Sequence, residues 1–525
     1  MVDSSSYEKR KDPHNELNNH GLQLGNDGFV EWKLDEKQHP RNWIITKKAY
    51  NVGLVCFFEF WMTAISSSGT ATSNSGRKDY CISRTVGYFV FTSLYLIGQA
   101  IGSIFCSPIS ETFGRRTLYI VAITVYCIFS AIIAAVPSVI AVCFGRFFTG
   151  FASAIPATVA FGSFEDLYES ETRIWIVYIY TLAGNMGLVL GPIYSAYVTT
   201  YAGWRWVFYI STIVSGIGII ASLFLHESRT RYLLELKVKA VQKRAGNNAL
   251  RIAERRNITL RSFAQDCLFR PLKFLATEPI VFSCAALMAI SFSLIYGLTE
   301  GLNVVYTELG FAESTTSSLS FVPILIGLLV NVLPRIYDQR VFTRCRKKSS
   351  LRPEAKVSSL VTACPALAVG LWLFAWTIPP LVPHVHWTVS MIGLVLVGYA
   401  TNDLSYILFG YLTDSYGPYA ASACSALSLS RTLMAAVFPL FTDSMYTSLG
   451  GNVATSIFAA VATMACVTPV VFIKYGRKLR EMSHFAQADG CENQRDEETP
   501  SRKEEEKVER GQRDSSASTV ILLGS

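Results

Sequence analysis

Twelve long apolar runs constrain the fold of this chain more than any other feature of its sequence. Each holds roughly 20 residues, the length that an α-helix needs to cross a bilayer core of about 30 Å. Only 16% of the 525 residues are charged, against roughly a quarter in a typical soluble protein. The sequence therefore predicts an all-α polytopic membrane protein, with approximate spans at 47–68, 84–106, 117–136, 138–161, 173–199, 204–225, 279–306, 314–334, 357–378, 386–410, 418–446 and 452–473.

The basic residues predict how these spans are oriented. Cytoplasmic connections of membrane proteins are enriched in lysine and arginine, and a dozen such residues lie between positions 226 and 276. If the N-terminus is cytoplasmic, the inner side also receives the basic residues near Lys47, Arg115 and Arg344. The outer connections then hold only four: Arg77, Lys78, Arg84 and Arg205. Both termini are therefore predicted to be cytoplasmic.

One long basic connection divides the spans into six and six, which is the layout of transporters built from two halves. The tails are rich in charge and poor in apolar residues, a composition typical of disorder. The predicted organisation is a disordered cytoplasmic tail at 1–43, a six-helix half at 44–225, a cytoplasmic loop at 226–276, a second half at 277–476 and a disordered tail at 477–525.

The most specific local signal is "SPISETFGRRTLY" at 107–119, between the second and third spans. Gly114 allows the short connection to reverse direction, and Arg115 and Arg116 follow the preference for basic residues on the inner side. Glu111 can pair with these cations or with a helix N-terminus. The alternative is that the charges only anchor the loop.

This stretch resembles the PxSExxGRR signature of the major facilitator superfamily, in the form found in twelve-span fungal drug:proton antiporters. Other resembling stretches follow in the family's order over residues 39–485. They are "HPRNW" (39–43), "GRFFTG" (145–150), "GNMGLVLGP" (184–192), "GWRWVFYI" (203–210), "RPEAK" (352–356), "YLTDSYGPYAASA" (411–423) and "SRTLMAAVFPLF" (430–441). The resemblance implies the major facilitator fold and the branch that exports polyamines, cycloheximide-type drugs and secondary metabolites.

The resemblance also implies an inner charge pair at Asp166 and Arg173. Together with Glu111, Arg115 and Arg116, these residues would form a cytoplasmic gate that holds one state closed. A solvated inner rim is the alternative.

The stretch "GNMGLVLGP" resembles the fifth-span motif of antiporters. Gly184, Gly187 and Gly191 recur at intervals of three and four, so they share one helix face that another helix can approach closely. Pro192 removes one backbone hydrogen bond and permits a bend. These features predict a tight contact between the halves that serves as a gate, or plain helix packing.

Away from the ends of the predicted spans, five charged residues are candidates for a role inside the membrane: Glu59, Arg146, Glu300, Asp403 and Arg431. Each costs about 2.5–3.5 kcal/mol at the bilayer centre, so we expect them to be paired within a cavity. Their depths predict the pairs Glu59–Arg146 and Asp403–Arg431. Moving an acid away from an arginine favours proton binding, so these pairs are candidates for proton coupling and substrate binding. Permanent structural ion pairs are the alternative.

Aromatic residues on the spans that line the cavity in the resembled fold could form a broad apolar binding surface, or could face lipid. They are Phe60, Trp61, Phe147, Tyr296 and Tyr399.

The expected function is that of a proton-coupled antiporter that exports a small organic compound, such as a toxin, drug or secondary metabolite, by alternating access. Proton-coupled uptake, polyamine transport and a non-transporting membrane sensor are the alternatives. No phosphate-binding loop or nucleophile motif predicts an enzyme, and no cofactor is expected. The pair His384 and His386 has no neighbouring acid or cysteine, so no metal site is expected.

The expected partners are the substrate, protons and the lipid bilayer. No nucleic acid is expected, because the basic residues are explained by cytoplasmic loops. The protein is expected to be a monomer in the plasma membrane, with the vacuolar membrane as the alternative.

Overall fold

The computed structural model describes residues 17, 21–25, 29–33, 36–168, 170–245, 270–311, 314–336, 359–378, 386–416 and 420–481. Within these residues, twelve helices are long and apolar enough to cross a membrane. They agree in number and approximate position with the runs predicted from the sequence. Residues 1–16 and 482–525, for which the sequence predicts disorder, lie outside the described residues.

The first six spans precede the basic connection. Span 2 is built from the helices Arg84–Tyr88 and Leu94–Phe113, joined by a π-helical turn at Phe89–Ser93. Gly203, with φ of 93°, precedes span 6. Spans 1 and 3 to 6 are Ile45–Ser67, Arg115–Ala135, Val139–Leu167, Ser170–Tyr201 and Trp204–Leu223.

The other six spans follow the basic connection. Span 8, Thr315–Ile336, contains the helices Ser314–Ser318 and Val322–Val330 with a 3-10 turn at Leu319–Phe321. Span 12 consists of Gly451–Ala465 followed by Val467–Glu481. Spans 7, 9, 10 and 11 are Pro279–Glu308, Leu360–Thr377, Trp387–Tyr416 and Ala420–Leu449.

Part of the N-terminal segment that the sequence predicts as disordered is ordered. Strands Leu22–Leu24 and Val30–Trp32 pair antiparallel and pack on the helix Thr230–Ala245 through Val238 and Val241. Their apolar side chains are few but alternate along the strands, which suffices to cover the apolar stripe of this helix. The remaining short helices are Pro40–Asn42 (3-10), Gly69–Asp79 and Arg270–Thr277.

The two ends of the bundle differ in charge. We call the end at which span 1 begins the basic face, because Lys47, Arg115, Arg116 and Arg229 lie there. The other end, where Asp79 meets Trp204 and Arg205, is called the opposite face. The sequence predicts that the basic face is the cytoplasmic one.

The two sets of six spans touch through polar and aromatic side chains. Ser66 and Tyr296 share a hydrogen bond of 2.7 Å between spans 1 and 7. Ser93 donates to the carbonyl of Ala436 at 2.6 Å. Nearer the basic face, the rings of Phe161 and Phe409 stack with centroids 4.5 Å apart.

The glycine motif of span 5 packs against span 1. A Cβ added to Gly187 would lie 2.2 Å from the carbonyl oxygen of Phe60, and one added to Gly191 would lie 2.2 Å from that of Ala64. The predicted close helix approach is therefore present. It joins two spans of the same set of six, so the predicted glycine contact between the halves is wrong. Pro192 lies inside the helix Ser170–Tyr201.

Replacing Gly187 by alanine should destabilise the bundle. The new methyl group would meet backbone rather than a flexible side chain, and overpacking of this kind costs about 1–3 kcal/mol. The midpoint of thermal unfolding in detergent should fall relative to Gly216→Ala, since nothing lies within 4 Å of the Cβ position at Gly216. Equal midpoints for the two variants would contradict this account of the motif.

Candidate functional site

A narrow cavity lies between the two sets of spans. It leaves about 30 Å³ for the centres of water molecules, room for about two of them. Its charged lining residues are Glu59 from span 1 and Arg431 from span 11. The other lining residues are Thr63, Ser66, Gln99, Ala157, Phe161, Tyr180, Thr181, Gly184, Asn185, Phe292, Tyr296, Ser405 and Phe409. Tyr296 is among the aromatic residues that the sequence proposed for such a surface.

Glu59 is held inside the bundle by the geometry of span 1. Its side chain is 6% exposed, whereas the neighbouring Phe57 points outward and is 41% exposed. A Cβ at Gly184 would lie 3.2 Å from Cγ of Glu59, so the first glycine of the motif leaves room for the carboxyl group.

The polar surroundings of Glu59 come from several spans. Arg431 and Tyr180 are its electrostatic and hydroxyl neighbours in the cavity, and Tyr119 and Cys56 also lie near it. The hydroxyl of Tyr180 donates to the carbonyl of Pro156 at 2.9 Å. The same hydroxyl also lies within hydrogen-bonding reach of the Glu59 carboxylate, so Tyr180 can donate to either acceptor.

Arg431 faces the same cavity from the other set of spans. Its guanidinium lies over the ring of Phe292 at 4.6 Å and that of Phe409 at 5.5 Å. The side chain is 8% exposed, and its buried Nε has no hydrogen-bond partner among the described residues. Arg431 is therefore stabilised mainly by aromatic faces.

The predicted pair Glu59–Arg146 is wrong. Arg146 is fully buried and donates from Nη1 to the carbonyl of Ile65 at 3.1 Å, with its guanidinium between the rings of Tyr95 and Phe208. Glu59 and Ile65 are six residues apart on one helix, so their directions differ by about 120°. The depth estimate was adequate, but depth alone does not specify the face of the helix.

The predicted pair Asp403–Arg431 is also wrong, since Asp403 forms a buried ion pair with Arg335 of span 8. The guanidinium of Arg335 lies 4.4 Å from the ring centroid of Tyr406. Sequence reasoning missed Arg335 because the predicted span ended one residue earlier, at 334. The presence of an intramembrane acid was itself the available signal, since it calls for a cation at similar depth.

Three asparagines form a hydrogen-bonded chain between the cavity and the residue that precedes Asp403. Asn185 of the glycine motif donates to the side-chain oxygen of Asn402 at 3.1 Å. Asn402 donates in turn to Asn331 at 2.9 Å, and Asn331 donates to the carbonyl of Tyr399 at 3.3 Å. The motif thus contacts the other set of spans through its asparagine, next to Asp403.

Glu300 lies outside the cavity lining, in a cluster near the opposite face. Thr70 donates to its carboxylate at 2.6 Å, and Tyr88 is a second hydroxyl neighbour. Nearby, Arg84 and Asp443 form an ion pair of 2.5 Å between spans 2 and 11. The cluster joins the two sets of spans at this end of the bundle.

The basic face carries the predicted gate residues, with a different acid at their centre. Arg115 pairs with Asp166 at 2.8 Å. Glu227 accepts hydrogen bonds from the backbone N–H groups of Arg115 and Arg116, both at 3.0 Å. It thereby satisfies the N-terminus of span 3, where a negative charge is favoured. Sequence reasoning missed Glu227 because it treated residues from 226 onward as loop.

Gly114 and Arg173 also lie at the basic face. Gly114 has φ of 83°, and a Cβ there would lie 2.6 Å from the Glu227 carboxylate, so a glycine is required twice over. Arg173 lies 4.0 Å from Glu165. The side chain of Glu111 falls outside the described residues.

His226, beside Glu227, packs edge-on against Trp43. Burial, aided by Lys47 and Arg116, lowers the pKa of its imidazole below the ordinary value. The neutral ring is therefore favoured at this site.

The described part of the chain contains no group of three or more histidine, cysteine and acidic residues placed to hold a metal ion. His386 hydrogen-bonds to Thr388. His384 lies outside the described residues.

The sequence model of the Major Facilitator Superfamily matches residues 52–381 of this chain. The chain belongs to the Major Facilitator Superfamily. It is therefore a multi-pass membrane transporter rather than an enzyme, and its substrates are small molecules. The sequence-based prediction of this family is confirmed.

Curated fungal relatives resemble most of the chain. The multidrug transporter TPO1_2 of Candida glabrata is 28% identical over 452 residues, which covers 85% of this chain and 78% of that protein. The efflux pump radE of Floropilus chiversii is 27% identical over 467 residues, with 87% and 86% covered. The predicted resemblance to fungal drug and metabolite exporters of this superfamily is confirmed.

A solved structure shows the same fold. The crystal structure of the human organic anion transporter MFSD10 (TETRAN) matches with a TM-score of 0.55 at 14% identity, covering 81% of this chain and 98% of that one. The predicted all-helical major facilitator fold is confirmed.

The two intramembrane acids should respond differently to neutralisation. In Asp403→Asn, Arg335 loses the carboxylate of its buried ion pair, which typically costs about 3–5 kcal/mol. Glu59→Gln removes an acid whose oxygens lie beyond ion-pair distance of Arg431, so it should destabilise the fold much less. Thermal unfolding in detergent should therefore begin at a lower temperature in Asp403→Asn than in Glu59→Gln.

The double variant Asp403→Asn/Arg335→Gln provides the control. Removing both charges should recover part of the lost stability, because no uncompensated buried charge remains. If Asp403→Asn and Glu59→Gln unfold at the same temperature, the assignment of Asp403 as a structural acid fails.

Proposed function

We propose that this transporter is a proton-coupled antiporter that exports a small organic compound from the cytoplasm by alternating access. The observation that carries the proposal is the pair of opposite charges, Glu59 and Arg431, which face one cavity from the two sets of six spans. The names of the relatives, a multidrug transporter and an efflux pump, support export rather than uptake.

The proposed proton carrier is Glu59. A nearby arginine favours the ionised form of the carboxyl group. When the arginine moves away and water is excluded from the carboxyl group, its protonated form is favoured. Because Glu59 and Arg431 belong to different sets of spans, rocking of one set against the other changes the distance between them. Proton uptake would accompany one direction of rocking and release the other.

The surrounding clusters supply the two ends of the cycle. The Arg84–Asp443 ion pair and Glu300 join the two sets of spans near the opposite face, so opening that end requires their separation. At the basic face, Arg115, Asp166 and Glu227 bind the ends of spans 3, 4 and 6 together. We propose that this second cluster stabilises the first six spans as one body during rocking.

The proposed orientation places the basic face, both termini and residues 226–276 in the cytoplasm, according to the positive-inside rule. The proposed location is the plasma membrane, since export to the exterior protects the cell that makes or meets the compound. The protein is proposed to act as a monomer, because each chain contains a complete cavity.

Coupling can be tested with Glu59→Gln in proteoliposomes. The variant should lose transport driven by a proton gradient, because its side chain cannot exchange a proton. With saturating substrate on both sides, it should retain substrate exchange across the membrane without net proton movement. The matched control is Glu31→Gln, at an exposed acid outside the spans. Undiminished gradient-driven transport by Glu59→Gln would disprove the role of Glu59.

Orientation can be tested with a native cysteine. Cys81 is exposed and lies at the opposite face, two residues beyond Asp79. In intact cells, a membrane-impermeant maleimide should label the protein, and Cys81→Ala should abolish this labelling. Labelling of Cys81 only after permeabilisation would reverse the proposed orientation.

A further inference from the structure

Two buried opposite charges face the cavity without contacting each other. No nitrogen of Arg431 lies within 4.0 Å of an oxygen of Glu59 in the described structure. Arg431 is more than nine-tenths buried, and its Nε has no hydrogen-bond partner there. A buried donor without a partner is costly, and the aromatic faces beside Arg431 offer no oxygen acceptor. The site therefore holds hydrogen-bonding capacity that the chain itself does not use.

Glu59 presents the complementary deficiency. Its neighbour Tyr180 has a single hydroxyl proton, and both the carbonyl of Pro156 and the Glu59 carboxylate lie within its reach. An ionised carboxylate has about four acceptor sites, so Tyr180 leaves most of them unused. When ionised, Glu59 thus has acceptor capacity towards the cavity. The cavity offers a donor cation on one side and an acceptor anion on the other.

The walls between the two charges are aromatic. Phe292 and Phe409 cover the guanidinium of Arg431, and Phe161 stacks on Phe409 from the other set of spans. Flat rings prefer stacked or edge-on aromatic neighbours at centroid distances of about 4.5–7 Å. The cavity as described has room for only about two water molecules. In a wider state of the transport cycle, such walls would favour a planar aromatic or conjugated body.

Taking the proposed transport function as the basis, we propose that the substrate is a planar, amphoteric organic compound with an acidic oxygen for Arg431 and an amine or hydroxyl donor for Glu59. Such a molecule satisfies both charges at once. A purely anionic ligand would leave Glu59 repelling it, and a purely cationic ligand would be repelled by Arg431. Protonation of Glu59 removes the acceptor for the donor group, so proton and substrate compete for this carboxyl.

The test measures equilibrium binding to purified protein in the absence of any proton gradient. The probes are isomers of aminomethyl-2-naphthoic acid, which carry a carboxylate and an ammonium group at different separations. 2-Naphthoic acid and 2-naphthylmethylamine are the matched single-charge probes. At least one zwitterionic isomer should bind tenfold or more tightly than either single-charge probe.

Substitutions of Arg431 and Glu59 test which residue binds the carboxylate of the probe and which binds its ammonium group. Arg431→Gln should lower the affinity for the zwitterion to the affinity for the amine. Glu59→Gln should lower the affinity for the zwitterion to the affinity for the acid. Arg431→Lys, which keeps the charge, should retain part of the advantage and provides a folded variant if Arg431→Gln does not assemble. Arg205→Gln, at an ion pair near the opposite face, should change none of the affinities.

Two results would overturn the proposal. The first is that no isomer of the zwitterion binds more tightly than the better of the two single-charge probes. The other is an equal loss of affinity for all three probe types in Arg431→Gln. Because binding is measured without a gradient, these results are independent of proton coupling, which the proteoliposome experiment tests separately.

Discussion

The compensation of buried charge is the constraint on which the interior of this transporter depends. A lone charge at mid-bilayer is unfavourable by several kcal/mol, and three of the intramembrane charges in this bundle are stabilised by different sets of neighbours. Arg146 uses a backbone carbonyl and two aromatic rings, Asp403 uses Arg335 in direct contact, and Arg431 uses aromatic faces. These compensations determine which faces of the spans must meet, because an ordinary apolar contact could not replace them.

The direct and the separated pairs have different consequences for motion. Asp403 and Arg335 lie in the same set of six spans, so rocking between the sets leaves their contact intact. Glu59 and Arg431 lie in different sets and are separated by the cavity, so the same motion changes their electrostatic energy. Coulomb energy varies inversely with distance and with the local dielectric constant. A separated pair across a narrow, largely buried cavity therefore responds strongly to rocking and to whatever enters the cavity.

Sequence reasoning succeeded where one physical signal dominates. Apolar runs of the length of a bilayer located the twelve spans, and the spacing of Gly184, Gly187 and Gly191 predicted a close helix contact. Pairing failed because an apolar span shows depth but not direction, so Glu59 and Arg146 were matched by depth alone. Glu227 was missed for another reason, since capping of span 3 by a residue 112 positions later leaves no local pattern.

Span 5 explains how the separate parts of the site are joined. One face presents glycines to span 1, and Gly184 leaves room for the Glu59 carboxyl. The adjacent residue, Asn185, points to the other set of spans and reaches Asn402, which precedes Asp403 in span 10. A glycine–asparagine pair thus lies beside the proposed proton carrier on one side and bonds to the residue that precedes Asp403 on the other. Because backbone contact with span 1 leaves little freedom for sliding, a displacement of span 1 would move Asn185 with it and strain or break its hydrogen bond to Asn402.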